Sequence, residues 1–453
     1  MNTCKVLKFG GTSVADLDAM ENCVRLIRAE AATRLVVVSA SAGITNQLVA
    51  LAERPLSPRQ RHELVDEIEG RQYQLLAKLE APWQVQDQLE ALLSELTTLA
   101  LAQAPMTAIR RDALLAMGER LSSLLFTALL RERGVDARLL DARSVLATDN
   151  QAGQAEPLLE QTRTQLQAAL AGEPHAVLVT QGFIGRDGLG NTTTLGRGGS
   201  DYSAALFAEA MGAQELQIWT DVAGIYSTDP RLVPTARPIP ELSFTQAAEL
   251  ATFGAKVLHP KTLWPAVRAG IPVFIGASKA PNQGGTKVLA DSSNQAPFVA
   301  LACRRDQTLL TLSSLSMLHS YGFLGRIFSL LAEHRISVDM VTTSEVSIAL
   351  TLDAIGSEQA LSEAVLARLR EHCQVQVQSG LTLVTLVGSR VNQRPGVAAR
   401  IFERISDFNI RLICHGASPH NLAFLVDDAV ADPIMARLHQ VLFDEEPPCP
   451  GNA

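Results

Sequence analysis

Six cysteines are scattered over 453 residues, and no two of them form a Cys-x-x-Cys pair. Cys4, Cys23, Cys303, Cys373, Cys414 and Cys449 therefore point to reduced packing thiols of a cytoplasmic protein rather than to a disulfide framework. The nine histidines lack metal-ligand spacing, so no structural zinc is expected. Basic residues are not in excess. Thirty-nine Lys and Arg face 47 Asp and Glu, a formal net charge of -8, which argues against a nucleic acid or an anionic membrane as partner. No secretory leader follows the first methionine, and no apolar run stands out as long enough to span a bilayer. A P-loop is missing too. In Lys8-Phe9-Gly10-Gly11-Thr12-Ser13 the lysine precedes the glycines, whereas a P-loop places it after them.

What is present is an alternation of strand-like and helical runs, in a chain too long for a single core. Val6, Leu7 and Phe9 suit a strand, and MENCVRLIRAEA after them has helical periodicity. Further strands are expected in RLVVVSAS (34–41), ARLLDA, AVLVTQGFIG (176–185), ELQIWTDVAGIY (215–226) and IPVFIGAS (271–278). One long helical stretch is expected over 57–132, ending at Arg133-Gly134. The central strands are apolar on both faces, the pattern of a parallel sheet covered by helices, so an α/β sandwich of about 280 residues is expected. The polar Gly-, Pro- and Asn-rich segment 279–297 marks a hairpin or linker at a domain boundary.

Beyond it the chain repeats itself. The stretch from Gly322 and the stretch from Gly396 align without a gap, Arg326-Ile327-Phe328 on Arg400-Ile401-Phe402 and Ile336 on Ile410. Each copy has the pattern of a loop, an amphipathic helix, a strand, a turn and a strand, a unit that buries its apolar face only by pairing.

The segment TTTLGRGGSDYSAALFAEA (192–210) carries the most chemistry. Gly196, Gly198 and Gly199 precede an Ala-rich helix, with Ser200 expected as its N-cap and Asp201 in its first turn. Free N–H groups at such a helix start attract an anion, and Arg197 can grip a carboxylate. Lys8 with Gly10 and Gly11 offers a second anion site. WTDVAGIYSTDPR carries Asp221, Tyr226, Asp229 and Arg231, where Tyr226 suits the face of a planar base. Taken singly, Lys256 in FGAKVLHP is a helix-end charge and Glu119 in AMGERLSS a surface glutamate.

In this order KFGGTSV, SASAGITN, TTTLGRGGSDY, WTDVAGIYSTDPR and FGAKVLHP resemble the aspartokinases of the amino acid kinase family. The repeat resembles the paired ACT domains of the same enzymes. The length matches the monofunctional form, with no room for a fused homoserine dehydrogenase, and the lysine-sensitive type is the nearest match. The resemblance implies an α/β amino acid kinase domain over 1–290, followed by two α+β, ferredoxin-like ACT domains. The first spans 308–377 and the second is built from 297–307 and 378–453.

The implied reaction is transfer of the γ-phosphoryl of ATP, accompanied by Mg²⁺, to the β-carboxylate of L-aspartate. The product is 4-phospho-L-aspartate, at the first step towards lysine, threonine and methionine. By resemblance Lys8 holds the phosphoryl group in transit, Lys256 neutralises charge toward the β–γ bridge, and Asp201 orients the lysines. Glu119 meets the substrate ammonium and Arg197 a carboxylate, with hydrogen bonds from Ser39, Thr45 and Ser200. Gly10, Gly11, Thr220, Asp221, Tyr226, Arg231 and Val257 join Lys8 and Lys256 at the nucleotide. The resemblance names Met317, Ser320, Phe323, Leu324, Ser337, Val338, Thr343 and Ser344 as the surroundings of an effector in the first copy. There Asp339 and Glu345 stand opposite Ile413 and Pro419 of the second copy, so only the first offers two carboxylates. That suits L-lysine, which has a second ammonium, and not threonine. A homodimer is implied, with a tetramer when effector binds. Glutamate 5-kinase or N-acetylglutamate kinase chemistry, and a catalytically dead amino-acid sensor, are the competing readings. The paired repeat and GRGGSDY disfavour the first, and retention of Lys8 and Asp201 the second.

Overall fold

The computed structural model describes residues 4–254, 260–293, 296–318, 321–352 and 361–444. Its contacts divide the chain into two compact units. One comprises Met1–Ile225, Pro238–Ala247 and Val257–Ser293, the other Tyr226–Arg237, Ala248–Lys256 and Asn294–Ala453.

The first unit is built on strands β1 (Lys5–Phe9), β2 (Thr33–Val38), β3 (Ala137–Leu140), β4 (Val177–Gln181), β5 (Ile184–Arg186), β6 (Thr192–Thr194), β7 (Glu215–Thr220), β8 (Glu241–Ser243), β9 (Val273–Ala277) and β10 (Gly285–Leu289). Eight of them form one sheet in the order β3-β4-β2-β1-β7-β9-β10-β8, and β5 pairs with β6 in a separate ribbon. β1 lies parallel to both β2 and β7, and β9 continues the parallel array until β10 turns back antiparallel. The chain thus leaves β1 on one side for β2 and returns on its other side with β7. Such a reversal opens a crevice beyond the carboxyl ends of the strands, where ligands of open α/β sheets sit.

Strand alternation sends Leu7 and Phe9 to one face of β1, and Val6 and Lys8 to the other. Phe9 meets Phe126 edge-on at 6.0 Å between ring centroids, which docks the helix Ala108–Glu132 on that face. Burying one phenylalanine fully contributes about 1.5–3 kcal/mol. This helix is long and apolar enough to cross a membrane by length and composition, which the expectation of no such run missed, yet it is mostly buried as a core helix.

The helical stretch expected over 57–132 is three helices, Pro58–Leu76, Gln86–Leu101 and Ala108–Glu132. Pro82 starts a short 3-10 turn in the first break. Pro105 falls in the second, after which the Thr107 hydroxyl accepts from the Arg110 N–H at 3.2 Å and caps the new helix.

The second unit carries strands β11 (Ala300–Ser313), β12 (Met340–Thr343), β13 (Ser347–Leu352), β14 (Gln374–Val387), β15 (Leu412–His415) and β16 (Asn421–Asp427). They form one antiparallel sheet in the order β12-β13-β11-β14-β16-β15. The two sequence copies occupy its two halves. Gly322 (φ 77°) and Gly396 (φ 78°) each take the left-handed conformation just before a helix, Phe323–Glu333 in one copy and Val397–Arg404 in the other. The long central strands serve both halves: β11 pairs with β13 through Thr308–Ser313 only, and β14 with β16 through Leu381–Val387 only.

Candidate active site and effector site

Beyond the carboxyl end of β1 the chain makes the Gly10-Gly11 turn. The Gly10 N–H donates to the Trp219 carbonyl of β7 at 2.9 Å, and the Ala42 N–H to the Gly11 carbonyl at 3.0 Å. A Cβ on Gly11 would stand 2.7 Å from the Ala40 carbonyl oxygen, so only glycine lets the turn sit against the loop after β2. Lys8, one residue inside the strand, is 7 % exposed, and its Nζ lies 2.7 Å from Asp201 Oδ1. A buried ammonium requires such a partner. Asp201 reaches it from the first turn of the helix Gly199–Met211.

That helix begins differently from the expectation. Gly198 (φ 72°) is its N-cap and Ser200 lies inside its first turn, with no side-chain cap. The reason is a close approach: a Cβ on Gly182 would stand 2.6 Å from Ser200 Cβ, so Ser200 is pressed against the chain leaving β4. Phe183, next in sequence, is held at φ 70°, a left-handed conformation that is strained for a non-glycine residue. Its ring packs where a Cβ of Gly199 would stand. Nothing in the sequence of this stretch signals that strain.

Glu119 is not the surface residue its own stretch suggests. It is 4 % exposed on the helix Ala108–Glu132. Its neighbour Gly118 explains why: a Cβ there would stand 2.6 Å from Ala40 Cβ, so the helix rides directly on the loop after β2. Burial pushes the Glu119 carboxyl up to about 7, against backbone hydrogen bonds from Ala40 and from its own N–H and the charge of Lys8, which pull it down. Its Oε2 accepts no hydrogen bond. A buried carboxyl with one unmatched oxygen is costly alone and suited to receive an ammonium.

Around this group the same loop supplies Ser39, half-buried, its N–H on the Phe9 carbonyl at 3.1 Å, and Thr45, exposed in the first turn of the helix Ile44–Glu53. Arg197 is exposed between Gly196 and Gly198, with no ion-pair partner among the described residues. Thr220 ends β7 beside Gly10, its hydroxyl on the carboxylate of the exposed Asp221 at 3.2 Å. The end of β1 thus sets an anion-seeking group, Lys8, near enough to the cation-seeking Glu119 for its charge to be felt, and Arg197 stands exposed on the loop before the helix Gly199–Met211.

Tyr226 and Arg231 belong to the second unit. Their loop is closed by the Ser227 N–H on the Arg237 carbonyl at 2.8 Å and the Arg237 N–H on the Ser227 hydroxyl at 2.9 Å. His439 Nε2, fully buried, holds that hydroxyl at 2.8 Å. Arg231 is neutralised by Asp229 at 2.6 Å. Lys256 and Val257 lie outside the described residues, as does Ser320 of the effector set.

In the first repeat copy Phe323 and Leu324 open the helix, and Met317 packs partly buried beneath it. Ser337 and Val338 lead to β12. Thr343 ends that strand, and Ser344 makes the turn to β13, its N–H on the Ser347 carbonyl at 2.8 Å. Glu345 stands exposed at the tip without an ion-pair partner among the described residues. Asp339 differs from the expectation of a carboxylate open to an effector: Arg304 Nη2 lies 2.6 Å from its Oδ2. Arg304 stands on β11, far from this strand in sequence, so the pairing could not be read from the repeat.

The amino acid kinase family matches residues 3–277, and the ACT domain matches residues 310–364 and 384–442. The chain is 51 % identical to the lysine-sensitive aspartokinase 3 of Escherichia coli K12, over 98 % of this chain and 100 % of that one. It is 34 % identical to an aspartokinase of Chlamydia pneumoniae over 96 % of both. Among solved structures, E. coli aspartokinase III with aspartate and ADP, in the R-state, superposes with a TM-score of 0.86 at 50 % identity, covering 97 % of this chain and 100 % of that one. The same enzyme with lysine and aspartate, in the T-state, gives a TM-score of 0.82 at 50 % identity, over 97 % and 99 %.

Proposed function

The chain belongs to the aspartokinase family, and from that premise we propose that it is an ATP-dependent L-aspartate kinase inhibited by L-lysine, working in the cytoplasm. The observation that carries the reading is the buried, unmatched Glu119 carboxyl, near enough to Lys8 to feel its charge, in the crevice where β1 meets β2 and β7. A substrate with an ammonium and two carboxylates supplies what each group lacks. Glu119 takes the ammonium and the unpaired Arg197 a carboxylate.

An oxygen of the substrate β-carboxylate attacks the γ-phosphorus of ATP as the bond to the β–γ bridging oxygen breaks, giving 4-phospho-L-aspartate and ADP. The attacking carboxylate is already ionised at neutral pH and needs no base, so alignment and positive charge do the work. Lys8, aimed by Asp201, supplies charge at the phosphoryl in flight, with Lys256 toward the bridge. Thr220, Asp221, Tyr226 and Arg231 serve the nucleotide, which brings Mg²⁺ on its phosphates as part of the substrate.

A coupled assay for ADP release with aspartate, with glutamate or with neither tests the reading. Turnover with glutamate and not aspartate overturns it. Arg197→Ala is expected to raise the aspartate KM at least tenfold while changing the ATP KM little, because it removes a charged contact to one substrate only.

The effector follows from the asymmetry of the copies. Asp339 and Glu345 give the first copy two carboxylates, and a lysine ammonium shares Asp339 with Arg304 or takes its place. Glu345→Ala is expected to weaken lysine inhibition tens-fold, on the scale of truncating one member of a charge pair, with activity in the absence of lysine retained. Titrating aspartate-dependent turnover with lysine, threonine and methionine measures this, and inhibition by threonine alone defeats the assignment. Around the same site Leu315, Tyr321, Leu324, Val341 and Val346 are exposed, and β12 is the edge strand of the sheet among the described residues. Apolar groups at an open strand edge support a homodimer formed through this copy. Sedimentation with and without lysine reads the assembly.

A further inference from the structure

We propose that Asp112 is a positioning residue for the substrate, fixing the loop that presents Arg197. The proposal deepens the reading of Arg197 as the arginine that grips an aspartate carboxylate, and it rests on that reading.

Asp112 lies in the helix Ala108–Glu132 and is 0 % exposed. An apolar residue is what a core helix would ordinarily place there, since burying a carboxylate is costly without specific partners. Its partners are backbone amides. Oδ2 accepts from the Gly153 N–H at 2.8 Å and from the Thr194 N–H at 2.9 Å. Burial pushes the carboxyl up, and these hydrogen bonds pull it back. The nearest cation is Arg111, Nη1 at 3.8 Å from Oδ1, and that guanidinium is already engaged by Glu53 at 2.5 Å. Oδ1 accepts no hydrogen bond. The shortest contacts of the carboxylate are therefore to two main-chain groups, with the Thr194 side chain and the more distant Arg111 guanidinium adding to them.

Those two groups bracket the Arg197 loop. Thr194 ends β6, three residues before Arg197. Gly153 stands across from Gly196, where a Cβ would meet the Gly153 carbonyl oxygen at 3.4 Å. The Ala155 N–H donates to the Thr194 carbonyl, and the Leu195 N–H to the Phe183 carbonyl, each at 2.9 Å. The strand is thus tied to its neighbours up to Leu195, and Gly196-Arg197-Gly198 projects from that anchor with both glycines in the left-handed conformation. A loop with two such glycines holds a fixed course only if its base is fixed, and the Asp112 side chain holds Gly153 and Thr194 together.

The same helix carries Glu119, seven residues on and so on the same side of the helix two turns later. One rigid element then sets both ends of the substrate, the ammonium through Glu119 directly and a carboxylate through Asp112 and the Arg197 loop.

The test is Asp112→Leu beside Asp112→Asn, with steady-state kinetics in both substrates. Leucine fills the space and removes both acceptor bonds. Asparagine keeps an oxygen for the two amides and puts its NH₂ where Oδ1 now accepts nothing. Asp112→Leu is expected to raise the aspartate KM roughly tenfold or more, with the ATP KM within about twofold of wild type, and Asp112→Asn to restore the aspartate KM. A merely structural role lowers the amount of folded enzyme, hence the apparent kcat, without moving one KM and not the other. Should Asp112→Leu fail to fold, Asp112→Ser takes its place with the same expected split. In an Arg197→Ala background the Asp112 effect on the aspartate KM is expected to vanish, since both act through one contact. Arg197→Ala with an unchanged aspartate KM overturns the arginine assignment and the proposal with it. An impaired Arg197→Ala beside an unimpaired Asp112→Leu, or an Asp112→Asn as poor as Asp112→Leu, overturns the proposal alone.

Discussion

Replacing Lys8 with alanine is expected to lower kcat about a hundredfold or more, the scale for removing one preorganised electrostatic stabiliser, with ATP affinity much less affected. The expectation rests on where the strand puts the charge. Nζ is buried, is paired with Asp201 at 2.7 Å, and lies 3.7 Å from the position a Cβ on Gly10 would take. The ammonium is thus held at the Gly10-Gly11 turn before any substrate arrives. It pays no reorganisation when phosphoryl charge shifts to it, which is why its loss falls on kcat rather than on binding. Removing it also leaves the Asp201 carboxylate without its cation, so some loss of stability accompanies the loss of rate. Lys8→Met, which keeps the volume of the stem, separates the two. Calorimetry of nucleotide binding and a thermal melt are read beside the rate. A folded Lys8→Ala with near wild-type kcat sinks the role.

The second large effect is at Glu119, where one substitution is expected to move activity and stability in opposite directions. The folded carboxyl is raised to about 7 from the ordinary 4.5, burial being the largest cause. Below pH 4.5 both folded and unfolded chains hold the proton, and the site carries no penalty. Between 4.5 and 7 the unfolded chain has lost it while the folded chain keeps it, so stability falls as pH rises. Above 7 the penalty is complete, about 3 kcal/mol for a gap of that size. Glu119→Gln removes the titration. Its melting temperature is therefore expected to exceed wild type at pH 8 and to approach it at pH 4.5.

Aspartate use goes the other way. Only ionised Glu119 can hold an ammonium, so wild-type kcat/KM for aspartate is expected to fall on the acid side of about pH 7. In Glu119→Gln that limb should be absent and the aspartate KM far higher, with ATP binding nearly intact. Unchanged aspartate kinetics in this variant would mean that the buried carboxyl does not face the substrate.

The motifs were enough to carry the family resemblance, which implied the chemistry, because each is a local backbone device. A glycine turn after a strand, a glycine-rich helix start and a loop arginine are all written in neighbouring residues, and the repeat register is carried by helical and strand periodicities that survive in any context. For the same reason the apolar strands of the first 290 residues announced a parallel sheet, and Gly322 and Gly396 marked the two helix starts. Local pattern served poorly at the breaks near Pro82 and Pro105, where amphipathic periodicity ran on across the turns.

What the tertiary structure alone decided is which polar side chains lose water and what they meet. Glu119 looks like a surface residue from its own stretch and becomes a buried acid because Gly118 lets its helix lie on Ala40. Ser200 gave way to Gly198 as cap because Gly182 presses on it from β4. Asp339 found Arg304 on the strand β11, and Asp112 found two amides, one from a loop and one from the end of β6. Periodicity records which face of an element is apolar. The cost of burying a charge, and the group that offsets it, depend on chain segments distant in sequence, and these come together only when the sheet and its helices pack.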